Sequence, residues 1–395
     1  MNMDLEKRVN EIFHELVEIR RDFHMYPELS EKEYRTSSKI CDYLSEWGIE
    51  HIKGVAKTGV VAIIRGKKEG ITVGARADID ALPIMEANVL PYKSLNEGVM
   101  HACGHDVHTA IHLGVAKILK EMEDELEGNV KIFFQPAEET VGGAKSMIDE
   151  GHLKNPNVEY ILSLHVMPQL DAGYIELKYG KLNASANEFF IKLTGKSSHA
   201  AYPEESIDPV VVSAHVVLGL QSIVSRNISP LNSVVVTIGQ IHGGVKNNII
   251  PGEVTISGTL RTLDEESRTY AMKRIREIAE STARAYGAKA LVEFDEDGYP
   301  VLINDDEVVD VIKDIGEETL GKDKVSFKEL PSLGADDFSF FLEKVRGAYY
   351  FLGCGNKSKN WTAPIHSENF KVDEECLKVG VLLQTKGILR LLKMR

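Results

Sequence analysis

Residues 101 to 108 read His-Ala-Cys-Gly-His-Asp-Val-His. This short run holds His101, Cys103, His105, Asp106 and His108, side chains that bind metal ions or move protons. Taken singly, each histidine reads as a solvated residue near a helix start. Taken together they read as a reactive site. Cys103 and His105 flank one glycine in a turn, so both can point at a single ion, whereas His105, His108 and His112 fall on one face of the helix expected to follow. They cannot all be ligands, so some must orient others. A ligating histidine usually gives its second ring N–H to a carboxylate or carbonyl, which makes nearby polar groups part of the expectation.

The elements that would position these groups alternate between strand and helix. Strand-like runs span Gly59 to Gly66 and Ile71 to Ile79, and the second delivers Arg76, Asp78 and Asp80. A helix follows to about Met122. A strand from Asn129 to Phe134 then runs into Gln135 to Glu139, and one from Val158 to Leu164 ends at His165. Such alternation favours an α/β fold with a mostly parallel sheet flanked by helices, whose ligand crevice lies outside the carboxyl ends of the strands. Asp78, Glu138, Glu139 and His165 should therefore meet Cys103 and His105 along one edge. Glu138 and Glu139 are adjacent, and neighbours on a regular strand point oppositely, so the pair must lie where strand gives way to loop.

The rest of the chain fits around that plan. Leu5, Val9, Ile12, Phe13, Leu16 and Ile19 recur at helical spacing. Ser30 and Glu33 form a capping-box signature for a second helix that carries Tyr34, Ile40, Leu44 and Trp47 inward and stops at Gly48. His24, before it, reads as structural. From about Asn183 the rhythm changes. A strand (Glu188 to Thr194), a helix capped by Asp208 with Pro209 at its first position, and strands from Ser233 to Ile241 and Glu253 to Thr262 follow; a long helix (Glu265 to Tyr286) and a strand (Lys289 to Phe294) complete the set. That β-α-β-β-α-β order is the ferredoxin-like plan, an α+β domain (184–297) inserted into a first domain made of 1–183 and 298–395. After Pro300 the alternation resumes, with a strand from Ala348 to Leu352, a loop holding His366 and a final helix from Asp373.

A length of 395 residues suits two domains, and 43% hydrophobic with 27% charged residues is an ordinary soluble composition. The net charge of −14 argues against nucleic acid or an anionic membrane as partner. Cys41, Cys103, Cys354 and Cys376 show no C-x-x-C spacing and the N-terminus lacks an apolar signal region, so a reduced, cytoplasmic protein is expected. The longest apolar stretch, Val210 to Leu220, is interrupted by Ser213 and His215 and is too short to cross a bilayer.

The chain resembles the M20 metallopeptidases, and within them the amidohydrolase branch of aminoacylases, hippurate hydrolases and plant auxin-conjugate hydrolases. The likeness rests on Arg-Arg-Asp-Phe-His with Pro-Glu-Leu (from Arg20), Arg-Ala-Asp-Ile-Asp-Ala-Leu-Pro (from Arg76), the His101 to His108 run, Phe-Gln-Pro-Ala-Glu-Glu (from Phe134), Gly195 to Ala201, Asn-Ile-Ile-Pro (from Asn248), Gly-Thr-Leu-Arg (from Gly258) and the segment around His366. It implies a catalytic domain with two divalent metal ions held by Cys103, His105, Glu139, His165 and His366, and Glu138 as general base. It implies also that the inserted domain is a lid and dimerisation domain, supplying His199, often from a partner subunit, with Asn248 and Arg261 for the substrate's carboxylate end. Asp78 matches an aspartate that orients the site. Read alone, Arg261 would serve equally as a surface ion-pair partner. Ser197 and Ser198 stand where the family often has glycine, and Asp336 where glutamate is more usual. The mixed thiolate, imidazole and carboxylate set suits zinc and tolerates manganese, cobalt or nickel.

The implied activity is hydrolysis of the amide bond of N-acyl amino acids, acetyl or aromatic, by a homo-oligomer, a dimer or tetramer. N-acetyl-diaminopimelate deacetylase and dipeptidase are the alternatives among enzymes. A catalytically silent metal-binding protein is the alternative outside them, and the retention of both Glu138 and Glu139 argues against it.

Overall fold

The computed structural model describes residues 3–295 and 298–394. The chain divides into two compact units: Met1–Leu182 with Ile303–Leu330 and Asp337–Arg395, and Asn183–Leu302 with Pro331–Asp336. The smaller unit thus takes in residues 331–336, which the sequence reading left with the larger one. The Ala184 N–H explains this locally, since it lies 3.0 Å from the carbonyl oxygens of both Ser332 and Gly334. The smaller unit takes in residues 298–302 as well, also expected in the larger unit; residues 296 and 297, where the boundary was expected, lie outside the described residues.

The larger unit opens with α1 (Leu5–Met25), capped by the Asp4 carboxylate on Lys7 N, 3.1 Å. It buries Val9, Ile12, Leu16, Ile19 and Phe23, a helical stripe in which each side chain contributes about 1.5–3 kcal/mol on burial. Then come α2 (Tyr34–Glu46), β1 (Glu50–Val55), β2 (Gly59–Arg65), β3 (Lys68–Asp78), α3 (His105–Glu121), β4 (Glu127–Gln135), α4 (Gly143–Asp149), β5 (Val158–Asp171) and β6 (Ile175–Leu177). After the insertion the unit resumes with α7 (Asp306–Leu320), β13 (Val325–Phe327), α8 (Phe338–Leu342), β14 (Arg346–Gly355) and α9 (Cys376–Leu391).

The strands form one sheet in the order β1-β2-β4-β3-β5-β14-β6-β13. Its centre, β4-β3-β5-β14, is parallel. Val60–Ile64 of β2 are buried without alternation, as a strand covered on both faces requires. The Ala75 and Ala77 face packs against α3 and α9, which α1 covers in turn. Arg76, Asp78, Ser163, His165 and Tyr349, at alternate positions, share the opposite face.

Three local readings need correction. The second helix starts at Tyr34 without a capping box: Ser30 Oγ instead donates to Asp80 Oδ2 (2.7 Å), and Glu33 accepts from Thr58 Oγ1 (2.7 Å) and Ala137 N (2.9 Å). Glu28 does the capping, taking Arg35 N and Thr36 N at 3.0 and 2.8 Å. Tyr34, expected inward, is exposed. Strand β5 also runs on past His165 to Asp171. Its ladder with β3 ends at Arg76–Ser163, but its ladder with β14 continues through Phe351–His165.

In the smaller unit, β7 (Asn187–Thr194), β8 (Ser198–His199), α5 (Pro209–Ser222), β9 (Val234–Gly243), β10 (Ile249–Ile250), β11 (Glu253–Thr262), α6 (Glu265–Ala285) and β12 (Lys289–Phe294) follow in order. The antiparallel sheet β9-β11-β7-β12 sets the first strand between the third and the fourth, the ferredoxin-like arrangement. Strict alternation along β7 buries Phe189, Ile191 and Leu193 against α5 and α6. Helix α5, with its π-helical continuation, spans Pro209–Asn227, and by length and composition it is long and apolar enough to cross a membrane, unlike the shorter stretch read from the sequence. It buries Val212, Val216, Leu220 and Ile223 against the sheet and exposes Val210, Val211 and Leu218.

Candidate metal centre

Every candidate ligand in the larger unit is placed by a local feature of the chain. Gly104 has φ +92°, and a Cβ there would lie 2.3 Å from Val166 Cγ2, so only glycine lets the Cys103–His105 turn close. α3 begins at His105 itself. After β4 the chain bends at Pro136 and Ala137, the latter at φ +56°, and Glu138 and Glu139 lie in that turn, off the strand. His366, at φ +62°, donates its N–H to Ala102 O (2.8 Å), which ties its loop to the cysteine turn.

These features bring the side chains together. Cys103 Sγ is 3.2 Å from His165 Nε2. His165 Nδ1 faces Val166 O at 2.7 Å, and a carbonyl can only accept, so Nδ1 carries the proton and the Nε2 lone pair points at Cys103. His105 Nδ1 likewise faces Asp80 O (2.9 Å) and Oδ1 (3.1 Å). Its Nε2 lies 3.8 Å from Glu139 Oε1, which is 3.4 Å from His366 Nε2. The ligand atoms of Cys103, His105 and His165 lie within 4.8 Å of one another, as do those of Cys103, Glu139 and His366, and those of His105, Glu138 and Glu139.

Two buried atoms in this cluster, His105 Nε2 and Glu139 Oε1, make no hydrogen bond. An orphaned buried polar atom costs about 1–3 kcal/mol, and these two atoms face a common space, as a cation would need. The donor set, one thiol, three imidazoles and a carboxylate, fits a divalent metal.

The surrounding charges are set by contact. Burial pushes the Cys103 thiol well up, and Glu139, Glu138 and Asp78 push the same way. Burial holds His165 well below the ordinary imidazole value. Burial also opposes charge on His105, but Asp78 and Asp80 outweigh it and hold the ring up to about 10. Asp78 is held well below the usual carboxylate range: burial works against it, and His105, His108 and Arg76 win.

The ambiguity among the clustered histidines is resolved by their partners. His108 has both nitrogens engaged, Nδ1 on Asp78 Oδ1 (2.5 Å) and Nε2 accepting from Val166 N (2.9 Å), so it orients the site. His112 Nδ1 is turned away onto His108 O (2.8 Å). Asp78 is fixed in turn by Arg76 Nη1 (2.7 Å), and the buried Arg76 also reaches Gln135 Oε1 and Asp337 Oδ1, both at 2.7 Å. Asp80, named from the sequence only as a residue at the strand's end and given no role, accepts from His105, Ser30 Oγ and Glu139 N. Its signal was its place two residues beyond Asp78, just past the end of β3.

In the smaller unit, His199 is exposed where β8 pairs with β10, its Nδ1 accepting from Ala201 N (3.1 Å). Ala200 N donates to Asn248 O (3.1 Å), which brings Asn248 alongside. Arg261 is half-buried and donates to Thr259 Oγ1 (2.6 Å) and Leu260 O (3.3 Å), with no ion pair among the described residues.

The family described as "Peptidase family M20/M25/M40" matches residues 74–389. The chain belongs to the M20 peptidase family. It is 42% identical over 381 residues to thermostable carboxypeptidase 1 of Saccharolobus solfataricus, covering 96% of this chain and 95% of the relative. It is 40% identical over 364 residues to the N-acetyl-L-cysteine deacetylase of Bacillus subtilis, covering 92% and 85%. The crystal structure of a Bacillus subtilis M20 protein described as a dinuclear metal-binding peptidase matches with TM-score 0.84 at 33% identity, over 98% of this chain and 99% of the other. This M20 protein is a metal-dependent hydrolase of the amidohydrolase branch, with the fold of a dinuclear metal-binding peptidase and groups of candidate ligands.

Proposed function

We propose that this enzyme hydrolyses the amide bond of N-acyl amino acids, acetyl or aromatic, releasing the free amino acid and a carboxylate. The observation that carries the reading is the convergence of Cys103, His105, Glu139, His165 and His366, with two buried atoms among them lacking a hydrogen bond and Glu138 beside them. Those five residues would hold two divalent ions, zinc first, with manganese, cobalt or nickel accommodated. Such ions supply Lewis acidity to the scissile carbonyl and bring the pKa of the attacking water toward neutrality. Glu138 takes the proton from that water and hands it to the departing amine. Asp80 fixes the His105 ring, and Asp78 fixes His108. His199 supplies a hydrogen bond for the developing oxyanion, within one chain or from a partner subunit. Arg261, with Asn248, holds the substrate's free carboxylate, which its planar fork matches bidentately. The lack of an ion pair at Arg261 among the described residues supports that role over a structural one.

A carboxypeptidase or dipeptidase acting on short peptides is the second reading, favoured by the 42% identity to an enzyme of that name. Both substrate classes end in a carboxylate. Chelation followed by add-back of each metal, with N-acetyl amino acids, N-benzoyl amino acids and dipeptides as substrates, separates them. Metal-dependent cleavage of N-acyl amino acids in preference to dipeptides is the expected result. Failure of all four metals to support any cleavage across the panel would favour a metal-holding binding protein.

We propose also a homo-oligomer formed through the smaller unit, supported by the apolar residues α5 exposes, Val210, Val211 and Leu218. A reducing, cytoplasmic setting is supported by the unpaired, buried state of Cys41, Cys103, Cys354 and Cys376.

A further inference from the structure

The segment Arg20–Leu29 carries buried polar groups that the chemistry above does not use. His24 is buried, with Nδ1 2.7 Å from Asp106 Oδ2 and Nε2 3.3 Å from Glu86 Oε1. One ring therefore bridges two carboxylates. Asp106 follows His105 directly and is also paired with Arg20 Nε at 2.8 Å, so this contact fixes the start of α3. Glu86 belongs to the loop between β3 and α3. Its other oxygen accepts from Ser94 N (2.8 Å), while Oε1 accepts from Asn88 Nδ2 (3.1 Å).

That loop grips a second one. Asn88 Nδ2 donates to Phe370 O (2.8 Å), and Ala87 N donates to Glu368 O (2.9 Å). Residues 366–370 are thus fastened to residues 87 and 88 at two points. Phe370 is fully buried, and a methyl at Gly104 would lie 3.6 Å from its Cζ. His366 itself has a side chain 49% exposed and a backbone at φ +62°. Packing does not hold its ring. A non-glycine residue in that conformation persists only where its surroundings fix it, and here they are its own N–H bond to Ala102 O and the strap's bonds at Glu368 and Phe370.

We propose that His24, Glu86 and Asn88 form a positioning hook that registers the His366 strap against the Cys103–His105 turn and sets the affinity of the His366 side of the metal centre. This rests on the two-metal reading above. The hook acts at one remove: His24 clamps Asp106 and Glu86, Glu86 holds Asn88, and Asn88 holds the strap. Losing the Asn88 link loosens His366 while leaving His105 and His165 on their own supports, Asp80 O and Val166 O.

The test is titration of the metal-free full-length protein with Zn²⁺ or Mn²⁺, following both equivalents by calorimetry or a competing chelator. Asn88→Ala should weaken one equivalent by about 10–100-fold, the scale for losing an outer support of a ligand, and leave the other unchanged. Asn304→Ala is the structural control: Asn304 is also buried and its amide also makes two donations, here to Lys178 O and Tyr349 O, both at 2.9 Å. It should lower stability and leave both metal affinities as in the wild type. If Asn88→Ala does not fold, Asn88→Ser, too short to reach Phe370 O, takes its place. Equal weakening of both equivalents, no weakening, or the same selective loss in Asn304→Ala would overturn the hook. Wild-type protein that takes up fewer than two equivalents would instead overturn the metal-centre reading beneath it.

Discussion

Replacing Gly104 with alanine probes whether a steric limit sets the turn between two proposed ligands. At φ +92° any side chain is strained, by about 1–3 kcal/mol. The new methyl would also lie 2.3 Å from Val166 Cγ2, where an ordinary carbon contact is about 3.5–4.0 Å. Relieving such overpacking costs about 1–3 kcal/mol more, so the total loss is about 2–6 kcal/mol. The relief runs through Val166, whose N–H donates to His108 Nε2 and whose carbonyl accepts from His165 Nδ1. Moving Val166 therefore turns His165 away from Cys103. Metal affinity should fall about 10–100-fold as well. Gly151→Ala is the matched comparison, because Gly151 has φ +89° with nothing within 4 Å of an added Cβ. It should show the strain alone, about 1–3 kcal/mol, and normal metal binding. Denaturant unfolding gives the stabilities, and competition with a chromogenic chelator gives the affinities. Equal metal affinity in the two variants would refute the steric argument.

Glu138→Gln should cut turnover at least about 10²-fold with two metal equivalents retained, as loss of a general base requires; lost metal would make Glu138 a ligand. Asp80→Asn removes the charge that holds His105 and receives Glu139 N, and metal affinity should drop about 10–100-fold in a folded protein. Wild-type affinity there would show that Asp80 O alone orients the ring. Burial pulls the Lys131 ammonium from its ordinary 10.5 to about 8. Between those values the unfolded chain keeps a proton that the folded chain has released, so the wild type should gain stability on Lys131→Met as pH rises from 8 to 10.5. A constant difference in urea unfolding free energy between pH 7.5 and 10 would contradict the shift.

The sequence made the site legible where chemistry-bearing residues were dense or sat at the ends of apolar runs. Cys103, His105, Glu138 and Glu139 belong to that class, and so does Asp78. The ferredoxin-like unit was legible because alternation along Glu188 to Thr194 and the cap Asp208 are local signals. Tertiary partners erased other local signals. Ser30 and Glu33 spell a capping box, yet their oxygens are taken by Asp80, Thr58 and Ala137, and Glu28 caps the helix instead. Strand β1 exposes most of its side chains, so no hydrophobic period marks it. The choice between His105 and His108 depends on which nitrogen finds Asp80 O and which finds Val166 N, contacts between distant stretches that spacing along one helix does not encode.

The central claim is tested most directly by anomalous diffraction from crystals loaded with manganese or zinc. Two peaks are expected, both within coordinating reach of Cys103, His105, Glu139, His165 and His366, with Glu138 beside them and His108 outside the ligand set. A single peak, or ions bound away from Glu139 and His366, would contradict the account.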